Sequence, residues 1–492
     1  MNSVNYKLAL PIIGLSLAAQ SVETAQAAKA AKTKGADERP NFVVILCDDV
    51  SSDMFGCYGN TETKTPNIDR LAQSGVAFQS GWNSALSGPA RAQLMTGKYA
   101  TTTGFWNNGF ALPMPDGSQK LFSFHDSFSK SLKDAGYTTA VAGKWHVGGA
   151  EHQNDPKLGF DEWCMWEGDT ELEKMGLPKW TGGREMPRGI TARYWHPCIV
   201  ENGKMVETTP TDFGPDIFTD FMCRFISKSS RGDKPFLAYY PMVLPHGPYV
   251  STPLTTKQGS NDGSGDKQFV EMIDYVDILV GRIIDQVEKS GKMDNTIFIF
   301  MADNGTAITA KSRGVERGCR VPFIFSGKGI KARGLTSEIC DGTDIFPTLA
   351  GFAGSKTPKD LCGVSMVDFL IGKSNKHKDM IHSCIGTTQL LRTRDCLLEV
   401  YNPILGVPEG RFYYCGDSHD GKGYVRAENN PKYKKVHQEM LKVLKEKYVG
   451  LTLDHPYFQE KRGKAFLKLY TDPKHAEKHL HNHRDYQFYN ED

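Results

Sequence analysis

The stretch around Ser87 combines a hydroxyl side chain with the start of a predicted helix. The chain reads SGPAR over 87–91 and LMTG over 94–97. Pro89 suits the first position of a helix, where a backbone N–H has no partner within the helix. Ser87 would then lie at the positive end of the helix dipole, where free N–H groups stabilise negative charge on a ligand or a reacting oxygen. An ordinary N-cap, in which the serine accepts a backbone hydrogen bond, is the alternative interpretation.

Acidic and amide side chains follow two apolar runs of the chain. The run NFVVILC ends at Asp48 and Asp49, and the run NTIFIFMA ends at Asp303 and Asn304. Such runs are typical of strands buried on both faces of a parallel sheet, whose carboxyl ends bind ligands. Adjacent carboxylates repel each other unless a cation lies between them, although a solvated turn is the alternative. The four side chains predict an all-oxygen site for Ca²⁺ or Mg²⁺.

Basic side chains follow two further predicted strands. Lys144 and His146 come after the strand predicted over 137–142, and their alternation places them on the same side of an extended chain. A solvated strand edge is the alternative for such a pair. His246 lies in the sequence PHGP over 245–248, where the prolines restrict the backbone and suit a positioned proton donor.

Taken in order along the chain, these motifs resemble those of the formylglycine-dependent sulfatases. More closely, they resemble the type I sulfatases whose modified residue is a serine, which belong to the alkaline-phosphatase-like superfamily. Further matching segments are TPNIDRLA over 65–72, GKWH over 143–146 and ERGCRVP over 316–322, which Lys311 precedes by five residues. The resemblance covers about residues 40–354, and it implies a bacterial carbohydrate sulfatase.

The resemblance implies a modified residue and a metal. In this family the first residue of the signature is oxidised to formylglycine (3-oxoalanine), which assigns that modification to Ser87 and implies a sulfatase-maturing radical enzyme as a partner before export. The implied metal is Ca²⁺, with Mg²⁺ as the alternative ion. Two positions depart from the family pattern. Ala90 stands where Ser or Thr is usual, which leaves the chemistry intact but bears on recognition by the maturing enzyme, and Arg317 replaces a usual glycine in its loop.

The resemblance also implies a role for each site residue. In the implied mechanism, Arg91 and the metal favour ionisation of a hydroxyl of hydrated formylglycine, which attacks sulfur, while Lys144 and Lys311 stabilise charge on the sulfate. His246 protonates the departing sugar hydroxyl, and His146 then removes a proton so that sulfate is expelled. The implied catalytic residues are Ser87, Arg91, Lys144, His146, His246 and Lys311, and the implied metal ligands are Asp48, Asp49, Ser87, Asp303 and Asn304.

The implied substrate is a sulfated saccharide, of the glycosaminoglycan or mucin type. The irregular segment over 150–215 is rich in tryptophan, and aromatic faces of this kind pack against sugar rings or close a loop over the core. We assign substrate contacts to Trp195, His196 and Tyr249. The first rival function is a phosphoesterase or phosphonate hydrolase of the same superfamily, with unmodified Ser87 and two metals. The second is a non-catalytic glycan-binding protein.

Length and composition predict a globular protein of two domains. The chain has 492 residues and a net charge of +2, so no global field favours nucleic acid as a partner. A signal peptide is predicted over 1–27 and a disordered leader over 28–39, which implies a periplasmic or secreted protein, and the apolar core of the signal is too short to span a membrane. The eleven cysteines show no metal or disulfide spacing. The predicted domains are a catalytic domain over 40–372 and a C-terminal α+β subdomain over 373–492.

Hydrophobic periodicity predicts the elements that would position these residues. We expect an α/β fold: a large, mixed, mostly parallel sheet sandwiched by helices, with a smaller α+β unit after a junction over 354–376. The predicted helices lie over 124–135, 216–227, 344–353 and 432–448 and within 265–291, and further strands are predicted over 235–240, 393–401 and 411–414.

Overall fold

The computed structural model describes residues 38–105, 108, 120–147, 158–185, 189–263, 265–307, 310–311, 316–385, 388–401 and 410–448. The predicted signal peptide, nearly all of the predicted leader and the end of the chain from residue 449 lie outside the described residues. Within the described ranges, no helix is both long enough and apolar enough to cross a bilayer.

The strands described in the first three quarters of the chain form one sheet of 11 strands and a separate ribbon of two. They are β1 (Asn41–Cys47), β2 (Val76–Trp82), β3 (Thr138–Gly143), β4 (Glu162–Trp166), β5 (Arg184–Glu185), β6 (Ile190–Thr191), β7 (Ile199–Glu201), β8 (Lys204–Met205), β9 (Phe236–Pro241), β10 (Thr296–Ala302), β11 (Arg320–Val321), β12 (Phe323–Gly327) and β13 (Gly334–Asp341).

The order of strands in this sheet is β11-β2-β12-β10-β1-β9-β3-β4-β7-β8, with β13 paired to β2, while β5 and β6 form the ribbon. The central strands β10, β1, β9, β3 and β4 are parallel to one another, whereas β12 and β7 pair antiparallel at the two ends of this group. Every residue of β1, β9 and β10 is buried, as expected where helices cover both faces of a parallel sheet.

Helices cover the sheet in two groups. The helices α1 and α6 both pack on α7, whereas α2, α4 and α9 form a second group. Strand β3 contacts α6 of the first group and α4 of the second. The helices are α1 (Pro66–Ser74), α2 (Ser87–Thr96), α3 (Ala100–Thr103), α4 (Phe128–Asp134), α5 (Asp169–Lys174), α6 (Gly214–Ser229), α7 (Asp266–Lys289), α8 (Glu316–Cys319), α9 (Ile345–Ala353) and α10 (Val367–Leu370). Short 3₁₀ turns lie at Ser52–Met54, Gly56–Tyr58, Leu121–Ser123, Met293–Asn295, Gly342–Asp344 and Pro431–Tyr433.

The C-terminal part of the described chain forms an antiparallel sheet of five strands in sequential order. These are β14 (Ile381–Ile385), β15 (Thr388–Arg392), β16 (Cys396–Tyr401), β17 (Arg411–Tyr414) and β18 (Val425–Arg426), followed by helix α11 (Lys434–Lys447). Met440 and Leu444 of α11 pack into the cluster of buried side chains on one face of this sheet. On its other face, Trp82 and Ile339 from the large sheet share a second cluster with Leu397. The fold class predicted from the sequence is therefore confirmed.

Three local predictions differ from the structure. The strand expected over 393–401 starts only at Cys396, because Thr393 to Asp395 form the turn from the preceding strand, in which the Thr393 hydroxyl accepts the Cys396 N–H. The helix expected over 124–135 is shorter, since it begins at Phe128 after a serine N-cap. The segment expected to be a junction carries buried residues of the main core, including Phe369 in α10. All eleven cysteines are free thiols.

Candidate active site

The ends of β1 and β10 bring the predicted metal-binding side chains together. Cys47 pairs with Ala302 in the parallel register, so the residues that follow these two strands are neighbours. The backbone N–H of Asp49 donates to Oδ1 of Asp303 over 3.1 Å, and Nδ2 of Asn304 donates to Oδ1 of Asp49 over 2.9 Å. Both strand ends are buried, so these polar groups face one another rather than bulk solvent.

Ser87 is the first residue of α2, and its hydroxyl points into this cluster. Its Oγ donates to Oδ2 of Asp303 over 2.6 Å, and it lies 3.1 Å from Nδ1 of His146. The N-cap position belongs to Leu86, whose side chain makes no capping hydrogen bond. The Ser87 hydroxyl therefore serves the cluster rather than the helix end, which favours the site interpretation over the N-cap interpretation.

Arg91 joins the serine to three strand ends. Its Nε donates to Oγ of Ser87 over 3.0 Å, and its Nη2 donates to Oδ2 of Asp303 over 2.8 Å. Its Nη1 donates to the carbonyl oxygen of Lys144 over 2.9 Å, and Nη2 lies 3.6 Å from Oδ1 of Asp48. Burial lowers the pKa of this guanidinium, but the carboxylates of Asp303 and Asp48 outweigh burial and raise it. Arg91 is thus a fixed positive charge beside the serine hydroxyl.

The two predicted lysines each hold one of the adjacent aspartates. Nζ of Lys144 donates to Oδ2 of Asp48 over 2.6 Å, and Nζ of Lys311 donates to both carboxylate oxygens of Asp49, over 2.6 Å each. Burial lowers the pKa of Lys144 to about 8, against the opposing charge of Asp48. Burial and the Asp48 charge raise the pKa of Asp49 to about 6.

The two predicted histidines lie on different sides of the cluster. Nε2 of His246 lies 3.4 Å from Oδ2 of Asp49, and its Nδ1 lies 2.6 Å from the carbonyl oxygen of Gly247. A carbonyl only accepts hydrogen bonds, so Nδ1 carries the proton and Nε2 faces the carboxylate. Burial lowers the pKa of both His146 and His246 well below the usual value, and the charge of Lys144 contributes to both shifts. His146 also has a positive φ of 51°, a left-handed conformation that is uncommon outside glycine.

The donor atoms in this cluster fit a hard divalent cation. Oδ1 of Asp48 and Oδ1 of Asn304 are buried, and neither has a hydrogen-bond partner within the described part of the chain. Ligand atoms of Asp48, Asp49 and His246 lie within 4.8 Å of one another. Burial raises the pKa of Asp48, but nearby positive charges, led by Lys144, outweigh burial and hold it well below its usual range. Unpaired buried oxygens are costly unless something coordinates them, and oxygen donors suit Ca²⁺ or Mg²⁺.

The predicted substrate residues have different environments. Trp195 is only 2% exposed, its Nε1 donates to the carbonyl oxygen of Ser251 over 2.9 Å, and its ring packs on Phe213. The ring of Trp195 therefore closes the insertion over the core in this structure, and its substrate role stays a prediction. His196 and Tyr249 are partly exposed, and their substrate roles stay predictions.

Sequence reasoning missed several residues that contact the cluster. Oδ1 of Asn108 accepts the backbone N–H of Gly88 over 2.8 Å, and the hydroxyl of Tyr194 donates to the carbonyl oxygens of Val243 and His246. No spacing pattern marks these residues. The adjacency of Tyr194 to Trp195 and His196 was the one available signal.

The C-terminal sheet contacts the segment that packs behind the cluster. Nη1 of Arg392 donates to Oε1 of Glu316 over 2.7 Å, and the hydroxyl of Tyr424 donates to Oε2 of Glu316 over 2.6 Å. Gly318, two residues after Glu316, accepts the backbone N–H of Gly305 over 2.8 Å. The small sheet is therefore linked through α8 to the loop that carries Asp303 and Asn304.

Comparison with known proteins places this site in a family. The sulfatase family model matches residues 40–355. The N-acetylglucosamine-6-O-sulfatase of Bacteroides thetaiotaomicron is 26% identical over 466 residues, covering 74% of this chain and 75% of that protein. The N-acetylgalactosamine-6-sulfatase of Canis lupus familiaris is 27% identical over 367 residues, covering 69% of this chain and 67% of that protein.

A solved structure has the same fold. The crystal structure of Ps i-CgsB in complex with k-i-k-neocarrahexaose matches with a TM-score of 0.69 at 24% sequence identity, covering 90% of this chain and 99% of that one. The family match spans more than half of the chain and includes both strand ends, Ser87 and the lysines and histidines around it. This chain therefore belongs to the sulfatase family and is a sulfuric ester hydrolase.

Proposed function

We propose that this protein is an exported carbohydrate sulfatase that acts through formylglycine formed from Ser87 and through one divalent metal ion, Ca²⁺. The observation that carries the proposal is the convergence of Asp303, Arg91 and His146 on the Ser87 hydroxyl, at 2.6, 3.0 and 3.1 Å. A serine kept only for structure would not need an acid, a guanidinium and an imidazole on one oxygen. The names of the two curated relatives support a sulfated amino sugar as the class of substrate.

The modification would give position 87 a reactivity that serine lacks. Oxidation by a maturing enzyme removes two hydrogen atoms, and the hydrated aldehyde offers one hydroxyl to attack sulfur and a second through which sulfate is expelled. An unmodified serine would instead leave a stable sulfate ester that water must cleave. His146 would take the proton of the second hydroxyl. Its Nδ1, 3.1 Å from the Ser87 oxygen, and its lowered pKa, which keeps the ring neutral, support this role.

Fixed charges around position 87 support a reaction that develops negative charge. Arg91 cannot lose its proton in this environment, so its charge favours an ionised oxygen at position 87. Lys144 and Lys311 can stabilise charge on the sulfate oxygens, at a site where burial strengthens electrostatic interactions. His246 can protonate the leaving sugar oxygen through Nε2, once that nitrogen has taken up a proton.

The metal would be held by Asp48, Asp49, Asp303, Asn304 and residue 87. When bound, Ca²⁺ would supply Lewis-acid stabilisation of negative oxygen, and it would also coordinate the oxygens of Asp48 and Asn304 that have no hydrogen-bond partner among the described residues. The described residues contain a single group of acidic, histidine or cysteine side chains close enough to hold a metal. That observation favours a one-metal sulfatase over a two-metal phosphoesterase.

A substrate screen would test this function. We expect the protein, co-expressed with a radical maturase, to release sulfate from mono- and disaccharides sulfated at single positions, including N-acetylglucosamine 6-sulfate and N-acetylgalactosamine 6-sulfate. Matched phosphate esters should be turned over far more slowly, and metal analysis should find one ion per chain. Faster turnover of the phosphate esters with two ions per chain would contradict the proposal. Export predicts that the mature protein begins after the Ala-x-Ala sequence, near Ala28.

A further inference from the structure

Arg193, in the insertion between β6 and β7, is a buried guanidinium held in one orientation. Its Nε and Nη2 each donate to a carboxylate oxygen of Glu185 over 2.7 Å, and its backbone N–H donates to the same carboxylate. The guanidinium also lies over the ring of Trp166, at 4.1 Å from the centroid. Arg193 is 4% exposed and Glu185 is 3% exposed, so neither side chain is free to reorient.

The third nitrogen of this guanidinium, Nη1, does not take part in the pair with Glu185. Nη1 of Arg193 is buried, and it finds no hydrogen-bond acceptor in the part of the chain that the structure describes. A buried charged N–H without an acceptor is costly, and the pair with Glu185 leaves the N–H groups of Nη1 unused. The raised pKa of Arg193 keeps the guanidinium charged, and charged donors make their strongest hydrogen bonds with ionised acceptors such as carboxylate and sulfate oxygens. An anionic group would therefore suit Nη1.

The position of Arg193 relates it to the catalytic residues. Trp166 ends β4, and Met165 pairs with Gly143 in the parallel register, so Trp166 stands beside Lys144 at the carboxyl edge of the sheet. On the other side, the hydroxyl of Tyr194 donates to the carbonyl oxygens of Val243 and His246. Arg193 thus lies between the strand end that carries Lys144 and the loop that carries His246.

Electrostatics agree with this placement. Burial is the largest cause of the lowered pKa of His246, and the charge of Arg193 contributes to the same lowering. Burial lowers the pKa of Arg193, but the negative charges around it, led by Glu185, outweigh burial and raise it. The charge of Asp48 contributes to this rise. Arg193 therefore lies within electrostatic reach of the centre of the site.

We propose that Arg193 forms a subsite for a second anionic group of the substrate, a sulfate ester or a carboxylate, on the sugar that His246 protonates or on the adjoining sugar. Glu185 orients the guanidinium by occupying Nε and Nη2, which leaves Nη1 to the substrate. The enzyme would then prefer glycans that carry two anionic groups over glycans that carry only the scissile sulfate. This inference rests on the proposed function.

Matched substrate pairs would test the subsite. One pair is N-acetylglucosamine 6-sulfate against glucosamine 2-N,6-O-disulfate, and the other is N-acetylgalactosamine 6-sulfate against the same sugar linked to a uronic acid. We expect a preference in kcat/KM of about 10- to 100-fold for the doubly anionic member of at least one pair, the range for one hydrogen bond to a charged group. The first pair reports a sulfate as the second group, and the second pair reports a carboxylate.

Variants separate recognition from folding. Arg193→Lys keeps the charge but not the fork, and Arg193→Met removes both. Each should reduce the preference to near one, by raising KM for the doubly anionic member more than KM for the singly sulfated member. The matched control is Arg184→Met, because Arg184 lies in β5 next to Glu185 and pairs with Asp169 over 2.8 Å, but it is more exposed. This control should keep the preference.

Two results would overturn the subsite. The first is turnover of singly sulfated sugars by the parent enzyme with no preference in either pair. The second is an equal loss of kcat/KM on both members of a pair in Arg193→Lys, which would indicate a structural role for Arg193. Thermal unfolding of each variant would show such a role independently. Failure to cleave any sulfated sugar would instead contradict the proposed function.

Discussion

The hydroxyl of Ser87 and the carboxylate of Asp303 form a hydrogen bond of 2.6 Å between residues 216 positions apart in the chain. The first residue of helix α2 thereby meets the end of strand β10, and both are buried. Asp303 also accepts hydrogen bonds from Arg91, so the same carboxylate orients the serine and the guanidinium beside it. The contact links the residue proposed to react with the residues proposed to bind the metal.

Removal of the metal should abolish turnover, and Ca²⁺ should restore it. The physical reason is that the buried oxygens of Asp48 and Asn304 have no hydrogen-bond partner among the described residues and would lose their proposed ligand. Ca²⁺ should also raise the thermal unfolding midpoint of the chelated protein, because a ligand that binds only the folded state stabilises it. Asp48→Asn should weaken this response, whereas Asp262→Asn, at an exposed position, should not. Full activity in a sample shown to be free of metal would contradict the site.

The two histidines should respond differently to the leaving group. An activated aryl sulfate needs little protonation of its leaving oxygen, so His246→Ala should lose much less activity on it than on a sugar sulfate. His146→Ala should be impaired on both substrates, because its proposed step follows departure of the alcohol. Steady-state kinetics of both variants on both substrates measure this contrast. Equal losses for His246→Ala on the two substrates would refute its role as the acid.

Loss of Arg392 should destabilise the protein strongly. The guanidinium is fully buried and pairs with Glu316, so Arg392→Met would leave a buried carboxylate without its cation, at a cost of about 3–5 kcal/mol. Urea unfolding should show a lower midpoint for this variant. The control is Arg426→Met in the same sheet, where the ion pair with Glu428 is partly exposed and worth about 1 kcal/mol or less. Equal effects of the two substitutions would mean that the buried pair contributes no more than the exposed one.

The sequence was informative where one local pattern determines both structure and chemistry. The apolar runs before Asp48 and Asp303 specify buried parallel strands, and the carboxyl edge of such strands is where side chains from distant segments meet. The two strands do pair in parallel, which brings Asp49 within hydrogen-bond distance of Asp303 and Asn304. Pro89 likewise indicated a helix here, although the helix begins at Ser87, so the proline is its third residue rather than its first.

Other features depend on tertiary contacts that no local pattern encodes. Glu316 and Arg392 are 76 positions apart, and neither lies in a periodic run that would indicate burial. The clamp between Glu185 and Arg193 forms within an irregular insertion whose path is set by packing. Trp195 shows the opposite difficulty, because an aromatic residue in a loop fits a sugar platform and a buried anchor equally well until its exposure is known.

The chemical state of residue 87 tests the account most directly. The protein should be prepared with and without co-expression of a radical maturase, and the peptide that contains residue 87 should be analysed by mass spectrometry alongside sulfatase kinetics. With the maturase, we expect a peptide lighter by two hydrogen atoms that reacts with carbonyl reagents, in proportion to turnover. Without it, the chain should fold and bind sulfated sugar but not turn it over, since one oxidised side chain contributes little to the stability of a core of this size. Full sulfatase turnover by protein that carries only serine at position 87 would contradict the account and favour direct attack by the hydroxyl.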